Sequence, residues 1–183
     1  MSSTNRNMER KPNEFYPTPK WCASMLAREL HTEKAQKLVW GEPCCGTDNI
    51  IDGMAEEIDF EKEWEWAELS QGRDYLTDGM TGPVDAIATN PPFSLMVPFM
   101  ERSLSEAYFV AYFLRLTALG SRERSPFWIA NPPTHTFVSA KRPAFVNNKT
   151  DSIEYAWFVW DKLGLCERKH GLYVIDVRNH GIT

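Results

Sequence analysis

Asp85-Ala86-Ile87-Ala88-Thr89-Asn90-Pro91-Pro92-Phe93 is a short apolar run with β-branched residues that ends on two prolines. Its length and composition predict a buried strand, and the prolines can continue neither a sheet ladder nor a helix. The chain must therefore stop at Asn90. Such a stop turns the Asn90 side chain and the Pro91 carbonyl outward at the carboxyl end of a strand, where open α/β sheets bind ligands. With Phe93 following, the stretch offers two hydrogen-bond acceptors and a stacking face, which suit a flat heterocycle carrying an amino group. The plainer alternative is a proline-terminated strand with a core phenylalanine. A second Asn-Pro-Pro, at Asn131-Pro132-Pro133, is followed by Thr134 and His135 rather than an aromatic, and reads as a loop.

Around this stretch the chain alternates between helical and strand-like segments. Residues 1–13 are polar, carry Arg6, Arg10 and Lys11, and read as a flexible arm; residues 14–183 read as one domain. Tyr16-Pro17-Thr18-Pro19 is extended, and Thr18 as cap with Pro19 at the first position predicts a helix running to about Glu33. Lys37 to Trp40 is a predicted strand. Gly41-Glu42-Pro43-Cys44-Cys45-Gly46-Thr47-Asp48-Asn49-Ile50 then forms a small-residue turn into a helix over Ile50–Glu57, a place where backbone N–H groups converge on an anion or cofactor. A second strand over Trp64–Glu68 leaves Glu68 near its end, and Gly72-Arg73-Asp74-Tyr75-Leu76 sets an acid beside an aromatic.

After Phe93 the pattern gives a helix over Leu95–Ala107, a strand over Tyr108–Leu114, a short helix over Arg122–Trp128, and strands over His135–Ser139, Tyr155–Trp160 and Leu172–Val177. The last two are expected to pair as an antiparallel hairpin. The fold class is α/β: a doubly wound, mostly parallel sheet with an antiparallel C-terminal hairpin.

Composition narrows the function classes. The 183 residues carry a net charge of -5, with 43% hydrophobic and 13% aromatic residues. The sequence contains neither a membrane-spanning run nor a signal peptide, so a soluble intracellular protein is expected. Cys22, Cys44, Cys45 and Cys166 show no metal-ligand spacing, and reduced thiols without a zinc site are expected. The charge is uneven: residues 56–68 hold seven acids against Lys62, whereas residues 115–149 hold Arg115, Arg122, Arg124, Lys141, Arg142 and Lys149 against Glu123. The basic block is either a phosphate-facing surface or an ordinary solvated face.

Taken together, Asn90-Pro91-Pro92-Phe93, Tyr16-Pro17-Thr18-Pro19 and Glu42-Pro43-Cys44-Cys45-Gly46 resemble motifs of adenine-specific DNA methyltransferases that use S-adenosylmethionine. The resemblance runs from about Phe15 to the last strand, and is closest to small phage and prophage versions without a separate target-recognition domain. It implies a Rossmann-like methyltransferase sheet, S-adenosylmethionine as cofactor, DNA as partner, a host-cytoplasmic location, and a monomer or homodimer. It also implies roles. Asn90, Pro91, Pro92 and Phe93 would be catalytic, the tetrapeptide ending the fourth strand of the sheet. Tyr16, Thr18, Pro19, Glu42, Pro43, Cys45 and Gly46 would form the cofactor entrance, Thr18 and the backbone of Cys45 and Gly46 holding the methionine part. Glu68 would take the ribose, Asp74 the adenine amino group, and Tyr75 would lie against the ring. In two respects the chain departs from the family: its loop continues Gly46-Thr47-Asp48 where Gly-x-Gly is usual, and the spacing from that loop to Asn90 leaves little room for peripheral helices, with nothing resembling a large recognition insert. RNA or protein glutamine as substrate, or a non-catalytic binding protein with a degenerate cofactor loop, stay open as alternatives.

Overall fold

The computed structural model describes residues 16–146, 149–150 and 152–176, with the side chains of 146, 149 and 150 excepted. The predicted arm over residues 1–13 lies outside the described residues. Seven strands form one sheet: β1 (Trp40–Glu42), β2 (Glu65–Trp66), β3 (Ala86–Thr89), β4 (Phe109–Arg115), β5 (His135–Ser139), β8 (Tyr155–Asp161) and β9 (Gly171–Ile175), in the order β2-β1-β3-β4-β8-β5-β9. Six run parallel, and β8 runs against its neighbours β4 and β5. A small separate ribbon pairs β6 (Ala144–Val146) with β7 (Lys149–Thr150).

The central strands alternate between two cores because successive side chains point to opposite faces. Ala86, Ala88, Phe109, Ala111, Phe113, Tyr155, Trp157 and Val159 face α1 (Lys20–Ala27) and α3 (Asn49–Ala55). Ile87, Val110, Tyr112, Leu114, Ala156, Phe158 and Trp160 face the other way, toward α4 (Tyr75–Asp78), α5 (Met96–Glu106) and α6 (Ser125–Ala130). Helices on both faces make the sheet doubly wound. The first helical layer is tight. A Cβ at Gly53 of α3 would lie 2.3 Å from the Lys20 carbonyl, and Ser24 Oγ donates to the Gly53 carbonyl at 2.8 Å.

Several boundaries differ from expectation, each for a tertiary reason. The first helix stops at Ala27 rather than near Glu33, because Leu30 bridges to Cys166 and the His31 N–H donates to the Leu165 carbonyl. A separate turn of helix, α2 (Thr32–Ala35), follows, and its C-terminal bonds engage the N–H groups of Lys37 and Leu38. The first strand therefore starts at Trp40 and carries Glu42 within it. Pro19, not Thr18, is the cap residue of α1, and no side chain caps it.

The expected hairpin between Tyr155–Trp160 and Leu172–Val177 does not form. The connection 162–170 carries the chain past β5, so that β8 pairs with β4 and β5 while β9 pairs parallel with β5 on its far side. The tetrapeptide ends the third strand in chain order rather than the fourth, since the segment between β2 and β3 is spent on a 3-10 turn and α4.

Candidate functional site

From β1 the chain crosses first to β2 on one side and later to β3 on the other, so the winding reverses at β1 and β3. Their carboxyl ends are where such a sheet leaves a crevice. A cleft of about 440 Å³ opens there. Tyr16, Thr18, Glu42, Pro43, Cys45, Gly46, Glu68, Asp74, Tyr75, Asn90 and Pro92 line it, from segments far apart in sequence. Pro19, Pro91 and Phe93 are not in its lining. Sequence reasoning missed Leu69, Ser70, Arg73, Leu76, Asn49, Leu95 and Phe99, which also face the cleft. Arg73 sits in the loop singled out for Asp74 and Tyr75; the apolar rim residues Leu69 and Leu95, 58% and 42% exposed, carry no local signature.

The loop from β1 to α3 is shaped by two left-handed residues, Gly46 (φ 54°) and Asp48 (φ 59°). Asp48 is the only non-glycine residue with positive φ among those described. The Gly46 N–H does not point freely at a ligand: it donates to Glu68 Oε2 at 3.0 Å. Glu68 Oε1 accepts from the Ser70 N–H at 3.0 Å and the Ser70 hydroxyl at 2.7 Å. A carboxylate has about four acceptor sites, so Glu68 ties two loops together and keeps little capacity for a ligand. Asp74 caps α4, accepting from the Leu76 N–H and the Thr77 hydroxyl, each at 3.0 Å. Tyr75 is 1% exposed, and its hydroxyl contacts Ser103 at 2.9 Å and donates to Glu106 at 2.8 Å.

Glu42 is 1% exposed, and its Oε2 has no hydrogen-bond partner among the described residues. Burial pushes its carboxyl well above the ordinary range, with Asp48 and Glu68 adding to the rise and the Ile51 N–H opposing it. The neighbouring thiols respond in the same way. Burial, then Glu42, raises Cys45 to about 12, and Cys44 also rises. Both are uncharged thiols at neutral pH, and all four cysteines are free.

At the lip of the cleft, Asn90 follows β3. Its Nδ2 donates to Thr18 Oγ1 at 3.0 Å and approaches the Tyr16 carbonyl at 3.5 Å. A carbonyl only accepts, so the nitrogen is turned toward Tyr16 and Thr18. Asn90 Oδ1, on the opposite side, is buried and unpaired among the described residues. Phe93 opens a 3-10 turn into α5, beside the cleft. Around it stand Tyr16 (centroids 6.4 Å apart, planes at 26°) and Tyr155 (6.4 Å), while Phe145 packs on Tyr16 at 6.2 Å and on Tyr155 at 5.1 Å.

The basic residues do not share one task. Arg124 donates to the carbonyls of Ala118 and Thr117, Arg142 pairs with Glu154 at 2.5 Å, and Lys141 lies over the Trp21 ring. Arg122 is exposed, Arg115 lies over Phe93, and the Lys149 side chain falls outside the described residues.

At the opposite end of the sheet, donor atoms of His135, Asp161 and Cys166 lie within 4.8 Å of one another, a grouping that the cysteine spacing did not reveal. These groups already serve the fold. Asp161 accepts from the N–H groups of Leu163 and Cys166, His135 Nε2 meets the Arg168 carbonyl at 3.1 Å, and burial raises the Cys166 thiol. Among the described residues, no helix is long and apolar enough to cross a membrane.

No protein-family model matches the chain, and no curated protein matches it in sequence. Solved structures do match. A candidate class I S-adenosylmethionine-dependent methyltransferase from Listeria monocytogenes superposes with TM-score 0.65 at 10% identity, over 94% of this chain and 68% of that one. A candidate RNA methyltransferase from Pyrococcus horikoshii gives 0.59 at 16% identity, over 86% and 94%. The type I restriction-modification methyltransferase subunit from Streptococcus thermophilus gives 0.60 at 14% identity, over 90% of this chain but 48% of the subunit. At these identities the likeness establishes the fold: the chain has the Rossmann-like methyltransferase architecture.

Proposed function

We propose that this chain is an S-adenosylmethionine-dependent methyltransferase acting on the exocyclic amino nitrogen of adenine in DNA. The observation that carries the reading is Asn90: its amide nitrogen is engaged by Thr18 and Tyr16, which leaves Oδ1 as a buried acceptor at the lip of the cleft. An adenine amino group is a poor nucleophile because its lone pair is delocalised into the ring. An acceptor fixed in advance holds an amino hydrogen, directs the lone pair out of conjugation, and stabilises the positive charge that develops on nitrogen. In this reading the Pro91 carbonyl takes the second hydrogen, and Phe93 stacks on the flipped base. Thr18 is thereby reassigned: it orients Asn90 rather than holding the cofactor.

The cleft fits the cofactor in size, being within the range of small-molecule sites. The unpaired Glu42 oxygen suits the ammonium of its methionine part, Glu68 has one acceptor site left for a ribose hydroxyl, and Asp74 and Tyr75 border the adenine end. The bound cofactor supplies an electrophilic methyl group. The left-handed Asp48 supports a working loop, since aspartate there keeps the backbone form that glycine would take.

The test is to incubate the chain with labelled cofactor and DNA, RNA or protein in parallel, and to digest the products. Methyladenine from DNA is expected. Its absence while calorimetry registers bound cofactor sinks the reading, methyl label in RNA or glutamine redirects it, and no cofactor binding by the wild type, with binding recovered by Asp48→Gly, points to a degenerate site.

A further inference from the structure

In the β4–β8 register, Arg115 lies opposite Tyr155. Its guanidinium carbon sits 4.7 Å from the centre of the Phe93 ring and 5.9 Å from that of Tyr155, and its Nε donates to the Tyr155 hydroxyl at 2.8 Å. Tyr155 is itself fixed, being 1% exposed and stacked on Phe113 at 5.4 Å. The planar cation is thus held against an aromatic ring face, by a cross-strand partner that cannot move without disturbing the core. We propose that Arg115 is a gate on the stacking face of Phe93: a target nucleobase takes the face that the guanidinium covers, and the side chain swings out toward the nucleic-acid backbone as the base enters. This inference rests on the reading of the chain as a nucleic-acid methyltransferase.

Two considerations support it. One face of a ring accommodates one planar partner, so base and guanidinium compete for it. The ring neighbours of Phe93, Tyr16 and Tyr155, belong to a packed aromatic cluster, whereas Arg115 is a long, half-buried side chain whose charge can reach a phosphate when it leaves. The Tyr155 hydroxyl is then one of the contacts that hold the gate shut.

The test uses the full chain, saturated with S-adenosylhomocysteine, and an oligothymidylate strand with one central 2-aminopurine, whose fluorescence is quenched by stacking on an aromatic ring. Tyr155→Phe keeps the ring and removes the hydroxyl; Arg115→Lys keeps the charge and removes the planar fork. Each is expected to tighten binding about fivefold, the effect of losing one modest polar contact in the closed form, and the double variant should gain little beyond either single one. Equal or weaker binding by both variants overturns the gate, as does absence of quenching by the wild type and both variants. Methyl transfer to genomic DNA by the wild type is measured alongside. Transfer without tightening defeats the gate and leaves the methyltransferase reading standing; tightening without transfer does the reverse.

Discussion

The chain contains Asn-Pro-Pro twice, and the two copies do opposite things. Asn131 follows α6, where its backbone N–H and its Nδ2 both return to the Phe127 carbonyl, at 2.8 and 3.2 Å, while its own carbonyl accepts from Trp160 Nε1 at 3.0 Å. That copy is a helix stop whose amide nitrogen and backbone groups are spent on the fold. Asn90 follows β3, and among the described residues its Oδ1 is left unspent. Nearby lie a second buried oxygen unpaired among the described residues, on Glu42, and the left-handed Asp48. The same three residues are thus structural where the asparagine is tied back to its helix, and a candidate for chemistry where strain and free acceptors gather.

The largest effect should separate the two asparagines. Asn90→Ala is expected to lower methyl transfer by about two to three orders of magnitude, the usual loss for one preorganised polar contact. Asn131→Ala should leave transfer intact and cost about 1 kcal/mol in urea denaturation. Equal loss of transfer in both would erase the distinction.

Thr18 should come next. Thr18→Val removes the acceptor that turns the Asn90 amide, and kcat is expected to fall about tenfold, the worth of a single hydrogen bond near its upper limit. Thr18→Ser should recover it. Failure of serine to do so would mean that packing, not the hydroxyl, is what matters.

Glu42 sharpens the contrast through pH. Its carboxyl is raised in the folded state, so the fold binds its proton more tightly than the unfolded chain does. Stability from this group is fully present below the ordinary value of 4.5 and is lost as pH rises toward the raised value. Glu42→Gln should flatten that loss, so variant and wild type diverge as pH increases above about 4.5 in thermal melts. Parallel curves would show that Glu42 does not carry the shift. The smallest effect is expected at Asp48, where Asp48→Gly should stabilise the chain by about 1 kcal/mol by removing a side chain from a left-handed position. An unchanged melting temperature would show the loop to be unstrained.

Legibility in the sequence followed the range of the interactions. The run Ala86–Thr89 and its stop at Asn90 could be read because proline and β-branched residues act locally. The loop from Glu42 to Asp48 was recognisable for the same reason, down to an aspartate able to take a left-handed form. Glu42 itself was misplaced into the loop, since the turn after α2, rather than composition, decides where β1 starts. Thr18 looked like a helix cap because capping is the local use of threonine; its bond to Asn90 spans residues far apart in the chain. The partner of β8 was missed on similar grounds. Alternation marks a strand but does not say which neighbour it will choose, and Tyr155–Asp161 found β4 and β5 instead of β9. Arg115 was noticed only as a charge, because its contact with Phe93 depends on the register between β4 and β8.

That register also sets an order of assembly. Within the sheet, β5 joins β1–β4 only through β8, which is made later in the chain. During synthesis β4 must wait, with one edge open, until Asp161 has left the ribosome, and β5 can dock only once β8 has arrived. The half of the protein that holds the cleft is therefore finished early but stays exposed along an apolar edge, and its closure is a long-range event of the kind that slows folding and invites association between nascent chains.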